Sequence, residues 1–140
     1  PVHHSDLKGW QIDEDRDLQA VRQGFREREG HLGELAIMFT EGGGSAFFLV
    51  GRDLKGDPIS EQIARASDTV YTDELEHGEH GALDLAGALH TEEEWTKARA
   101  MIVSICQQRL RMRYGMFGLS IDEARIAEIT AGQIDPLPVA

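Results

Sequence analysis

Glu74 and His77 have the clearest capacity for chemistry in this chain. They stand three apart, and residues three apart share a helical face, so a carboxylate and an imidazole can converge on one point. Their place in the hydropathy pattern says more than the pair itself. The apolar residues around them run Ile59, Ile63, Ala66 and Val70, then Glu74 and His77, then Gly81, Leu85 and Ala88, in steps of three and four. Two titratable groups therefore occupy the seam where a helix would place Leu. An unpaired charge buried there is very costly, so partners or a metal must satisfy it. Asp73, Glu76, Glu79 and His80 fall off the seam and read as a solvated face, with Asp73 and Glu76 able to orient ligands from behind.

Glu41 is the residue expected to face this pair. Its same-face neighbours are Glu34, Ile37, Met38, Ser45 and Phe48, again acids within an apolar stripe. Between the two stripes lies Gly56-Asp57-Pro58, which combines a glycine past a helix end, an N-cap Asp and a Pro in the first helical position. It predicts a short turn between antiparallel helices. Glu41 lies 15 residues before Gly56 and Glu74 lies 18 after it. At the helical rise these are about 23 and about 27 Å, so the two carboxylates come level. Glu34 sits about 10 Å further along the axis and is the weaker candidate.

A carboxylate facing Glu-x-x-His on an antiparallel neighbour resembles the half-site of the ferritin-like di-iron carboxylate superfamily. Glu41, Glu74 and His77 match its motif, their 33-residue spacing looks like the family's, and the likeness covers roughly residues 15 to 90. It implies an all-α bundle with Glu41, Glu74 and His77 as metal ligands and Glu34 in second place. It also implies iron, two per complete site, with manganese as the alternative. The chemistry implied is dioxygen activation, either oxidising a small organic substrate or oxidising Fe²⁺ itself for storage. Gly42, Gly43 and Gly44 are similar in place to the irregular helix of the oxygenase branches, which favours the oxidase or oxygenase use.

The chain departs from the pattern in one respect. A complete centre needs four carboxylates and two histidines. Beyond residue 94 the acids are Asp122, Glu123, Glu128 and Asp135, and no histidine follows His90. One chain thus holds half a site. A homodimer would set the three ligands opposite their own copies across a two-fold axis, and an absent segment is the other source. The competing reading is a non-enzymatic acidic helical interaction module, with Glu74 and His77 paired to arginines of a partner helix.

The elements that must position these groups are all helical. Residues 1–13 read as an arm carrying His3 and His4, residues 14–133 as one helical domain, and residues 134–140 as an extended tail. A long first helix is expected from Glu14 to Lys55, interrupted at Gly42–Gly44 by a loop or a bulge. A second is expected from Pro58 to about Leu89. Thr91 and Glu94 form a capping box that opens a third, and Ser120 with Glu123 opens a short fourth that ends near Gly132. The expected architecture is an antiparallel long-helix hairpin with two shorter C-terminal helices, completed by a partner chain or segment. Arg109, Arg111 and Arg113 fall at the end of the third helix, where cations suit the helix dipole. Cys106 reads as a buried inert thiol, and His31 and His90 as surface or capping residues.

Composition narrows the partners. The 14 Lys and Arg against 25 Asp and Glu give a net charge of −11, which repels phosphate backbones and anionic lipid. Neither nucleic acid nor a membrane is expected as a partner. A single cysteine excludes an internal disulfide and suits a reducing, cytoplasmic setting.

Overall fold

The computed structural model describes residues 9, 11–41 and 45–132; the expected arm through residue 8, the glycines at 42–44 and the tail from 133 lie outside them. Every regular element among the described residues is helical. They are α1 (Asp13–Glu29), α2 (His31–Phe39), α3 (Ser45–Gly51), α4 (Pro58–Ala88), α5 (Glu92–Met116) and α6 (Glu123–Ala131). None of these helices is long and apolar enough to cross a membrane.

The expected long first helix is instead three helices, and its first break reverses the chain. Gly30 caps α1 at φ +56°, a left-handed conformation that glycine adopts without strain. α2 then folds back along α1. Gly33 lies so close that a Cβ there would stand 2.3 Å from the Phe25 carbonyl oxygen. Arg26 and Glu34 pair across the same corner at 2.6 Å. The helical spacing from Leu18 to Phe39 is real, but it belongs to two antiparallel helices, because periodicity does not register a reversal at one residue.

α5 closes the other side. Its Gln108 donates to the Glu14 carbonyl, and its Gly115 abuts the Glu14 carboxylate, while Lys97 at its start feels the charge of Glu29. α1 and α5 therefore run antiparallel. α4 runs against α2 and α3, with Gly81 on the Met38 backbone and Ser67 under Gly51. The result is an up-and-down bundle of α1, α2 with α3, α4 and α5, with α6 on the outside of α5.

α2 is the central element, and its composition explains why. Leu35, Ala36 and Ile37 are all buried, as expected of a helix apolar on most of its faces. Leu35 packs with Leu85, Leu89 and Ala98, while Ile37 packs with Leu18 and Ile105 on the opposite side. α4 is more lopsided. Ile59 and Ile63, expected in its buried stripe, are 69% and 47% exposed. Ser67 is buried and Ala64 half-buried in their place, because α3 approaches closely only over small side chains. Between α4 and α5 runs an apolar groove lined by Phe39, Leu85, Trp95 and Ile102.

The capping signals hold. Asp57 Oδ1 accepts from the amides of Ile59 and Ser60, with Pro58 beside it. The Thr91 hydroxyl accepts from the Glu94 amide, and the Glu94 carboxylate accepts from the amides of His90 and Thr91. α6 is capped by Asp122, which accepts from the Arg125 amide, rather than by Ser120.

Hydrogen bonds from Ser60 hold the Asp57 carboxyl below its ordinary range, and those from His90 and Thr91 do the same for Glu94. A carboxylate whose folded-state pKa lies below its unfolded value adds stability above the unfolded value and loses it as the pH falls through the folded one. The melting temperature is therefore expected to be flat above about pH 5 and to fall below about pH 4. Asp57→Asn should flatten that acid limb, as thermal melts across pH 2.5–6 would register. An unchanged limb in the variant would remove the cap from the account.

Candidate functional site

A cleft of about 470 Å³ opens among the helices beside the end of α2. α1 supplies Asp15, Leu18 and Arg22 to its wall, and Glu41 lies two residues past the end of α2. α3 supplies Phe48, α4 supplies Glu74 and His77, and α5 supplies Arg109, Met112 and Arg113. Glu41, Glu74 and His77 all line this cleft, but the continuous helix that the levelling about Gly56 assumes is broken between α2 and α3. Glu41 and His77 are exposed at its mouth, and Glu74 is half-buried. The Glu74 Oε2 atom is buried without a hydrogen-bond partner.

Glu34 stands elsewhere. It takes a two-pronged contact from Arg26 on the outside of the α1–α2 corner, and that guanidinium holds its carboxyl below the ordinary range. Glu34→Gln is therefore expected to leave metal binding intact and to cost less than about 1 kcal/mol, as exposed pairs do. Glu41→Gln is expected to lose the metal. Metal-to-protein ratios of the two purified variants decide between them, and the opposite ranking would overturn the axial argument.

Two residues, Asp15 and Arg22, escaped the sequence reading, which takes Arg109 only as a cation at a helix end. Asp15 and Arg22 lie one face-repeat apart on α1, beside Leu18. Arg109 completes the series Ala98, Ile102, Ile105, Arg109 and Met112, whose steps of four and three put a charge in the seam just as in α4. The same pattern argument that singled out Glu74 applies to Arg109. Arg109 Nη1 donates to the Thr40 carbonyl, a cation closing the C-terminal end of α2, and so fixes the backbone that carries Glu41. Burial holds its guanidinium below the ordinary value, and repulsion from Arg22 and Arg113 adds to this, while Glu74 acts in the opposite sense. Arg113 lies over the Phe47 ring at 5.0 Å and ties α5 to α3. Arg111 turns away to pair with Glu123 of α6 at 2.9 Å.

The remaining chemistry-bearing groups stand outside the cleft. Burial pushes the Cys106 thiol up, which keeps it protonated and unreactive. His90 serves the α5 cap through its backbone amide. A second hollow between α3 and α4 is walled by the Arg52–Asp68 ion pair.

The donor set suits a metal in type, since two carboxylates and an imidazole are what iron and manganese take. The orphaned Glu74 oxygen is an acceptor lacking a cation. The three are not gathered into a ligand set: among the described residues, Glu41, Glu74 and His77 included, no three or more His, Cys, Asp and Glu side chains cluster closely enough to hold a metal ion. α1 and α5 bring the guanidiniums of Arg22, Arg109 and Arg113 to the same cleft. Comparison of the chain with family models, with curated proteins and with solved structures finds no match.

Proposed function

We propose that the cleft is half of a carboxylate–histidine metal centre, with iron the first metal to test and manganese the second. Glu41, Glu74 and His77 would be its ligands in this chain, and they would have to draw together on binding, since they line one cleft without clustering. The observation that carries the reading is the buried Glu74 Oε2, which has no hydrogen-bond partner while facing a cleft shared with Glu41 and His77. Iron held this way supplies dioxygen activation, the chemistry the ferritin-like resemblance implies, with a small organic substrate favoured over ferrous iron. This chain's own part is positional. Arg109 anchors the Thr40 carbonyl next to Glu41, and α4 holds Glu74 and His77 one turn apart.

The remaining ligands come from a second copy of the chain or from a segment of polypeptide beyond it. The exposed apolar surface of Phe39, Leu75, Leu83 and Trp95 beside the bundle supports such a partner. Protein purified without chelator and loaded with Fe²⁺ tests the reading. The expected result is about one iron per chain, with sedimentation at the dimer mass or above. A monomer holding two irons would defeat the shared-site arrangement, and a chain that takes up none after reconstitution would defeat the metal reading. The second outcome favours the interaction-module reading, to which the arginines sharing the cleft with Glu74 give specific support.

A further inference from the structure

Arg22, Arg109 and Arg113 reach one cleft from two different helices. Elsewhere among the described residues Arg28, Arg65 and Arg99 are exposed without an ion pair, whereas Arg16, Arg26, Arg52, Arg111 and Arg125 each form one. Among the described residues, none of the three in the cleft does. The Arg22 Nε atom is buried and has no hydrogen-bond partner. The repulsion that Arg22 and Arg113 exert on Arg109 shows that the three guanidiniums share one neighbourhood. A buried donor left unspent beside two further guanidiniums suits an anion. Leu18, Phe48 and Met112 line the same cleft, so the anion has an apolar surface to lie against.

We propose that the cleft binds the carboxylate of a small organic acid, with Arg22, Arg109 and Arg113 holding the charged end and Leu18, Phe48 and Met112 the apolar body. The inference rests on the cleft geometry and goes beyond the metal reading, to which it adds a substrate class. The opposing charges are Asp15, Glu41 and Glu74, which line the same space. In metal-free protein they partly offset the arginines and weaken binding. A cation on Glu41 and Glu74 takes up their charge and leaves the guanidiniums to the ligand. The two sites should therefore bind with positive coupling, each tightening the other by the same factor.

Isothermal titration of chelator-treated protein with hexanoate is the test, with 1-hexanol and inorganic phosphate as comparison probes. Hexanoate is expected to bind saturably and to shift the Met112 methyl resonance. Hexanol and phosphate are expected to bind at least about tenfold more weakly, one lacking the charge and the other the apolar body. Arg113→Met and Arg22→Gln, each checked for a cooperative melt, should each weaken hexanoate by about tenfold. Hexanol or phosphate binding as well as hexanoate would overturn the assignment, as would full affinity in either variant or no saturable binding at all. Repeating the titration with Mn²⁺ separates the two readings. Tighter hexanoate binding supports both, whereas unchanged hexanoate affinity with Mn²⁺ present overturns the metal reading and leaves the carboxylate site standing.

Discussion

Glu74→Ala and His77→Ala, reconstituted with Fe²⁺ beside the parent chain, are each expected to hold less than about a tenth of its iron, since loss of even a supporting residue around a metal costs about 10- to 100-fold in affinity. Glu74 brings the one carboxylate oxygen in the cleft that is both buried and unpartnered. His77 brings the only imidazole that lines it. The folded state should survive both changes. His77 is exposed, and substitutions at such positions stay within about 0.5 kcal/mol. At Glu74 two effects oppose. Removing an orphaned buried acceptor relieves roughly 1–3 kcal/mol. Removing the carboxylate also takes an attractive charge from Arg109, which stands near Arg22 and Arg113. The melting temperature of the metal-free variant should therefore move by no more than about 3 °C. Elemental analysis with thermal melts separates loss of ligands from loss of fold, and full iron occupancy in either variant would end the assignment.

Gly33→Ala is expected to be the most damaging single-methyl change in the chain, at about 3 kcal/mol and about 10 °C in melting temperature. The added Cβ would stand 2.3 Å from the Phe25 oxygen and 2.7 Å from its carbonyl carbon. Both are backbone atoms of a packed helix, so no rotamer can yield. The hairpin of α1 and α2 would have to open, taking Leu18 and Ile37 away from Ile105. Because α2 leads into Glu41, metal binding should fall along with stability. Gly87→Ala supplies the control. It lies within α4 with nothing within 4 Å of the added methyl, and it should gain roughly 0.5–1 kcal/mol from helix propensity alone. Chemical denaturation of the pair reads both signs, and equal stabilities would mean that the α1–α2 corner is looser than drawn.

The legible parts of this protein were those written in local chemistry. The caps at Asp57 and Thr91, the limits of α4 and α5 and the all-helical class follow from side chains bonding to backbone within four residues of themselves. The same local signals set Glu74 and His77 one turn apart on α4, whereas the count from Gly56 to Glu41 assumes a continuous helix that ends at Phe39 instead. Tertiary structure decided what a period cannot encode. Gly30 turns one apparent helix into two antiparallel ones, because apolar spacing is the same whether a chain runs on or doubles back. That reversal places α1 against α5, and only then do Arg22, Arg109 and Arg113 meet in the cleft that Glu74 lines. The exposure of Ile59 and Ile63 has a similar origin, since α3 selects the face of α4 with the smallest side chains. Spacing along the chain tells which residues share a face, but whether a charge on that face meets a cation, an acid or water depends on a helix many residues away, and packing alone brings that helix near.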